Sequence, residues 1–364
     1  MKVLFVKRTV DRQDLELLLG AKKRGIDIRV MTVPDSPWRE TLEQAGIFVV
    51  TPRYRSKFNL RAIAFIRRYV KAHGITVLHA GEGKSLSNAI WATYGLPIRI
   101  IGYRGTLARI RKTDIGYWMG VLNPRVSRII CVNRSIYEYM QNFYPREHLL
   151  LNYKGYESDW GDEASSTALP IPEVPEGAFV IMYIAKTQGR DHKGLNVLVQ
   201  AMHQMPDQRV HLVHIGAHDA SSATLAESGP AAVRIHLLGE RKEGVRYLHR
   251  ADLYVLPSLR DGLPRSVKEA MAQARPVVIT NIPGPSELIV DGESGLLIAP
   301  GSPSAIVEAV MGLIDDPARR AQLGEAARRR LKECFSAEAF VEKAVALYHE
   351  VDQERQAMAE SAKR

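Results

Sequence analysis

Short apolar runs of strand composition recur along this chain at near-regular intervals, each followed by a stretch of helical spacing, and the series is interrupted once. The first series is KVLFV (2–6), DIRVMTV (27–33), IFVV (47–50), TVLHA (76–80), IRIIGY (98–103) and RIICV (128–132), with helical stretches such as 60–73 and 86–94 between them. YESDWGDEASSTALPIPEVPEGA (156–178) then breaks all periodicity with Ser, Pro and acids. Beyond it the alternation restarts with FVIMYIA (179–185), a helix near 195–205, VHLVHIG (210–216), RIHLLG (234–239), DLYVLP (252–257), PVVIT (276–280) and GLLIAP (295–300). Repeated βα units predict doubly wound parallel sheets, and the restart predicts two α/β domains joined by a linker. The tail 315–356 has helical composition, with fraying expected from about Met358.

Within the second series, SLRDGLPRSVKEAMAQARPVV (258–278) is a strand end, a Gly/Pro turn, a helix and a new strand. Val267, Ala270, Met271 and Ala274 recur at helical spacing, and Pro264 occupies an expected first helical position. In a parallel sheet such a turn lies at the carboxyl edge, where ligands bind. The amino end of the helix offers free N–H groups to a phosphate, and Glu269, one and a half turns in, can accept from neutral hydroxyls beside it. That arrangement suits a phosphate and a polyol held side by side. The plainer alternative is that Asp261 caps the helix and Glu269 is a solvated surface acid.

Charge divides unevenly. Residues 1–150 carry 26 Lys+Arg against 11 Asp+Glu, a net of +15, whereas residues 151–364 carry 24 against 29, a net of −5. The first half therefore expects an anionic partner: a nucleic acid, an acidic glycan or an anionic lipid surface. The opening MKVLFVKRTV has an apolar run of only four residues, short of a secretory signal or a membrane span. Cys131 and Cys334 lack metal-ligand spacing, and a reducing cytoplasm suits them.

Most of residues 178–350 resembles, in order, the family 4 glycosyltransferases. The resemblance rests on YIAKTQGRDHKGLNVLVQAM (183–202), VHLVHIGA (210–217), IHLLGE (235–240), the stretch 251–310 and DPARRAQLGEAARRRL (316–331). VLHAGEGKS (77–85), IIGYRGT (100–106) and RIICVNRSI (128–136) carry a looser match in the first half. The resemblance implies a GT-B fold: two Rossmann-like doubly wound α/β domains with a cleft between them and a C-terminal helix returning to the first. On that frame residues 1–160 are a basic acceptor-binding domain, 161–178 a linker, 179–340 the nucleotide-sugar domain and 341–364 the returning helix. It also implies a retaining transfer of a hexosyl group from a nucleotide-sugar, UDP favoured over GDP, with no essential metal or cofactor. The implied acceptor is a cell-surface glycan: lipopolysaccharide core, O-antigen or a lipid-linked saccharide at the inner face of the cytoplasmic membrane.

By the same resemblance Glu269 holds the nucleotide ribose and Asp261 contacts the donor sugar. Asp261 stands where the family usually has Glu, so its carboxylate is drawn back by about 1.5 Å. Arg190 and Lys193 match the family's diphosphate-binding pair, with Lys186 a rival for the Arg position. Gly216, Gly262 and Leu263 complete the nucleotide site. Many members have a glycine-rich first loop and a His-Gly later; here KRTVDRQD (7–14) and YRGT (103–106) stand in those places. Arg104 is the catalytic-site candidate of the first domain, suited to an anionic acceptor or a phosphate.

GEGKS (81–85) is not a P-loop, because the pattern needs Gly at 78 and that residue is Leu78. Its strand–turn–helix setting still puts Glu82, Gly83 and Lys84 at the cleft edge as acceptor candidates. His211 and His214 point to opposite faces of a strand, so HLVHIGAH is not a metal site. Residues 57–73 and 107–125 mix Arg and Lys with aromatic and aliphatic bulk, as a surface docking on anionic membrane does. The rival readings are a GT-B epimerase or phosphorylase, and a non-catalytic basic protein binding RNA or anionic membrane; no nucleic-acid partner is expected on the leading one.

Overall fold

The computed structural model describes residues 1–157, 169–241 and 244–361, and the chain forms two compact units, Met1–Gly155 with Ala337–Arg364, and Tyr156–Ser336. Residues 161–168 of the linker expected at 161–178 lie outside the described residues. Just after them Ile171 and Val174 are buried.

Unit 1 begins with β1 (Lys2–Val6), α1 (Arg12–Lys23), β2 (Asp27–Thr32), α2 (Arg39–Gln44), β3 (Phe48–Val50) and α3 (Leu60–His73). It continues with β4 (Val77–Ala80), α4 (Gly83–Ala92), β5 (Arg99–Arg104), α5 (Ile115–Trp118), β6 (Val126–Cys131), α6 (Arg134–Met140) and β7 (Leu149–Leu151). The strands form one parallel sheet in the order β3-β2-β1-β4-β5-β6-β7, with Val3 opposite both Ile28 and Val77. Central strands are apolar throughout because helices cover both faces; Val3, Leu4, Phe5 and Val6 are all buried. Strand β7 was not anticipated, and α4 starts three residues before the expected 86.

Helix starts follow local chemistry. Asp11 and Asp14 form a reciprocal capping box on α1, and Asn59 and Asn133 cap α3 and α6. Gly74, at φ 62°, ends α3 in the left-handed conformation that glycine adopts without penalty.

Unit 2 comprises β8 (Phe179–Ile184), α7 (Leu195–Gln204), β9 (Val210–Ile215), α8 (Ala220–Glu227), β10 (Ile235–Leu237), α9 (Gly244–Tyr247) and β11 (Leu253–Leu256). Then come α10 (Arg265–Ala272), β12 (Val277–Thr280), β13 (Leu296–Ile298), α11 (Pro303–Ile314) and α12 (Pro317–Cys334). Its sheet is also parallel, in the order β10-β9-β8-β11-β12-β13. Both sheets reverse direction of growth next to their first strand, which is where such folds open a ligand crevice.

The helical tail is two helices. Phe335, which is buried, and the half-buried Ser336 separate α12 from α13 (Ala337–Ser361), which belongs to unit 1 and runs past Met358, where fraying was expected. Phe340, Val341, Ala344, Tyr348 and Val351 join the core beneath α1 and β1. Gly20 of α1 leaves room for Val341, since a Cβ there would lie 2.8 Å from its Cγ1. Arg128 of β6 donates to Glu350 at 2.7 Å and to Glu354. Among the described residues, no helix is long and apolar enough to cross a membrane.

Candidate functional site

In unit 2 the loops after β8 and β11 and the start of α10 enclose a cavity of about 450 Å³. Arg190, Lys193, Asp261, Leu263 and Glu269, all expected at a site, line it together with Lys186.

After β8, a single 3-10 turn at Asp191–Lys193 is closed by Gly194, at φ 76°. A Cβ on Gly194 would lie 2.1 Å from the Pro257 carbonyl oxygen, so the turn can sit against the end of β11 only with glycine there. The buried Tyr183 hydroxyl donates to the Lys193 carbonyl at 2.6 Å, and the Leu259 N–H donates to the His192 carbonyl at 2.7 Å. The two loops are thereby fixed to each other. Lys193 Nζ then meets Asp261 Oδ2 at 2.7 Å, with side chains 19% and 14% exposed. The other oxygen of Asp261 accepts the Gly262 N–H at 2.9 Å, so Asp261 does not cap α10.

Pro264 is the residue before α10 rather than its first helical one, with ψ 125°, and no side chain caps the helix. The amino end therefore faces the cavity with open N–H groups. Glu269 is 5% exposed, which removes the solvated-surface alternative. Its Oε1 accepts from Arg265 Nε at 2.7 Å. Tyr254, buried under the helix, donates to Ser266 Oγ at 2.6 Å and holds the first turn in place; burial raises its pKa and keeps the phenol neutral. His192 is pushed below its usual pKa by burial first and then by Arg260 and Lys193, a sign of the positive field at this edge.

Arg241, Val245, Arg265 and Ser266 also line the cavity and were missed in the sequence. The i,i+4 spacing of Arg265 and Glu269 was a usable signal; Arg241, in a loop after β10, offered none. Gly216 and Gly262 do not line the cavity. Gly216, at φ 141°, packs against Ala185, where a Cβ would lie 2.0 Å from the carbonyl oxygen. His211 stacks on His236 and His214 Nε2 lies 3.0 Å from the Ala185 carbonyl. No cluster among the described residues has the makings of a metal site.

In unit 1 a second cavity, of about 360 Å³, lies at the carboxyl ends of β4 and β5. Glu82, Gly83 and Arg104 line it, whereas Lys84 does not; its carbonyl accepts from Asn88 at 2.8 Å. Where the family's glycine-rich loop was sought, Lys7 and Lys154 clamp the capping-box acids, with Lys154 Nζ 2.7 Å from Asp11 and 2.8 Å from Asp14. Burial alone would raise the Asp11 pKa, but Lys154 and Lys7 outweigh it and hold the carboxyl well below its usual range.

The family model described as "Glycosyl transferases group 1" matches residues 169–330, and that described as "Glycosyltransferase Family 4" matches residues 12–160. The chain is 27% identical over 170 residues to the lipopolysaccharide core biosynthesis glycosyltransferase LpsE of Rhizobium meliloti, covering 47% of this chain and 49% of that one. It is 32% identical over 159 residues to the lipopolysaccharide core biosynthesis mannosyltransferase LpcC of Rhizobium leguminosarum bv. viciae, covering 41% and 45%. The chain thus spans about half the length of the curated relatives it matches. Anabaena HepE in complex with UDP superposes over 96% of this chain and 100% of its own with a TM-score of 0.79 at 18% identity. A glycosyltransferase from Rickettsia africae gives 0.81 at 16% identity, over 96% and 98%. These relatives do not favour an epimerase, a phosphorylase or a non-catalytic binding protein. With two matches that follow one another along the chain and a parallel sheet in each unit, the protein belongs to the family 4 type of GT-B glycosyltransferases.

Proposed function

We propose that the chain transfers a sugar, with retention of configuration, from a nucleotide-sugar to a cell-surface glycan. The observation that carries this is the buried Glu269 carboxylate beside the uncapped start of α10, in a cavity that also holds Lys186, Arg190, Lys193, Arg241 and Arg265. Cations and free N–H groups suit a diphosphate, and a carboxylate among them suits neutral hydroxyls next to it. Arg190, Lys193 and the first N–H groups of α10 hold the diphosphate, Glu269 the ribose and Asp261 the sugar, with Leu263, Gly262 and Gly216 shaping the backbone around them. UDP is the favoured carrier; HepE has been solved with UDP and with UDP-glucose.

In the transfer, the bond from the anomeric carbon to the diphosphate oxygen breaks and a bond to the acceptor hydroxyl oxygen forms on the same face. The departing diphosphate takes the bonding pair and the acceptor proton, so no enzyme base is needed. Arg190 and Lys193 offset the charge that grows on it.

Thermal unfolding with UDP, GDP, ADP and CMP, on the wild type and on Glu269→Ala, tests the donor site. A nucleotide at a hundred times its dissociation constant adds about 2.7 kcal/mol. Stabilisation by UDP, much reduced in the variant, is expected; no response to any nucleotide at millimolar concentration overturns the donor site.

The same proposal puts the protein at the inner face of the cytoplasmic membrane, held there peripherally. Phe58, Leu60, Leu107, Ile115 and Trp118 are exposed among Arg109, Arg111 and Lys112, a pattern that suits anionic lipid. Sedimentation with phosphatidylglycerol vesicles but not phosphatidylcholine vesicles is expected, and equal partition between the two overturns it.

A further inference from the structure

The unit 1 cavity has a chemistry of its own. Its apolar walls come from Leu86, Tyr103, Tyr117 and Val121, and its charged lining from Lys57, Glu82 and Arg104. The acid is already neutralised: Glu82 is held by both Nε and Nη2 of Arg8, and its Oε1 also accepts from Ser85. The cations are not. Arg104 Nη2 donates to the Ala108 carbonyl at 2.6 Å, which pins the guanidinium to its loop, while Nε is shielded from solvent and makes no hydrogen bond. The guanidinium has five N–H donors, so its terminal amino groups keep donors beyond the one bond to Ala108 for a ligand that supplies acceptors. Lys57 Nζ donates to the Gly116 carbonyl at 2.8 Å and lies 5.6 Å from the Tyr117 ring centre, leaving two of its three protons for other acceptors.

Two further features have the same sign. Helix α4, ten residues long, starts at Gly83 on the cavity wall, and no side chain caps it. A Cβ on Gly83 would meet nothing within 4 Å, so there is open space beside the first residue of α4. Gly116 is closer packed, since a Cβ there would lie 2.9 Å from Lys57 Nζ. A volume of about 360 Å³ is near the small end of the usual range for small-molecule sites, about 300–1,000 Å³, and suits one or two sugar rings. Aromatic walls suit the apolar face of a sugar, and the unpaired cations and helix end suit an anion.

We infer that this cavity is an acceptor subsite for an anionic sugar residue, carrying a carboxylate or a phosphate monoester, with the ring against Tyr103 and Tyr117 and the anion on the terminal amino groups of the Arg104 guanidinium, Lys57 and the amino end of α4. This rests on the glycosyltransferase reading of the preceding subsection, from which it takes only that unit 1 holds the acceptor.

The test is calorimetric titration of the full chain with methyl β-D-glucuronide, glucose 6-phosphate and methyl β-D-glucoside, and separately with UDP. One anionic sugar is expected to bind at least tenfold more tightly than the glucoside, and which of the two does so distinguishes a carboxylate from a phosphate. Arg104→Gln and the surface variant Lys57→Gln are each expected to reduce that preference at least threefold while UDP affinity is unchanged. Equal binding of charged and neutral sugars, no binding of any of them, or a preference that survives both variants overturns the subsite. A failure to bind UDP overturns the donor site instead and leaves the sugar titrations to stand on their own.

Discussion

Lys193 and Asp261 lie 68 positions apart in the chain and meet at 2.7 Å in the unit 2 cavity. The pair fixes the lysine proposed to hold the diphosphate and the acid proposed to contact the sugar relative to each other before any ligand arrives. Lys193→Gln leaves Asp261 without its cation, and a mostly buried group left so costs about 1–3 kcal/mol. The expected result in urea unfolding is a loss of that size, largely recovered in the double variant Lys193→Gln with Asp261→Asn. UDP affinity is expected to fall at least tenfold in both.

Glu269 is expected to bind ribose hydroxyls. Charged hydrogen bonds of this kind contribute about 1.5–3 kcal/mol, roughly ten- to a hundredfold in affinity. The wild type should therefore prefer UDP to 2′-deoxy-UDP, and Glu269→Gln should bind the two alike. Equal binding by the wild type argues that the carboxylate serves Arg265 alone.

Gly194→Ala puts a methyl group where the Pro257 carbonyl already is, on a residue with φ 76°. Strain of that kind costs on the order of 1–3 kcal/mol, with overpacking in addition. A drop in the unfolding midpoint with loss of UDP binding is expected. Gly83→Ala, with open space around its Cβ position, should leave the fold unchanged.

His79 is buried in unit 1, with Nδ1 2.8 Å from the Tyr348 hydroxyl, and burial pushes its pKa down to about 3, aided by Lys154 and Lys7. The unfolded chain binds the proton near pH 6.5 and the folded one does not. Stability from this residue is therefore full above about pH 6.5 and declines as pH falls towards 3, by about 2 kcal/mol at pH 5. His214, pushed to about 4 chiefly by burial, contributes with the same sign. Urea midpoints between pH 8 and pH 5 should shift less in the double variant His79→Leu with Tyr348→Phe, which removes both polar atoms.

The two strand series were legible because a strand covered on both faces must be apolar along its length, and KVLFV or PVVIT has no other use for such a run. Strand β7 escaped notice because three leucines carry no period. The site was legible where it is local: Asp261, Leu263 and Glu269 sit on one turn and one helix. Its fixing was not, since the contact of Lys193 with Asp261, the support from Tyr183 and Tyr254 and the arrival of Arg241 all depend on distant segments meeting. Asp11-x-x-Asp14 had the spacing of a capping box and could have been read as one. That Lys154 would bury itself against both acids had no local signal.

Helix α13 supplies unit 1 with core residues as late as Val351, although the rest of that unit ends at Gly155. During synthesis the first sheet therefore emerges long before its last helix does. At about 5–20 residues per second the wait for some two hundred further residues is roughly 10–40 s. Unit 2 lies wholly within that interval and needs nothing beyond Ser336. It can close while the ribosome is still working, so the half of the protein made second is the half able to finish folding first.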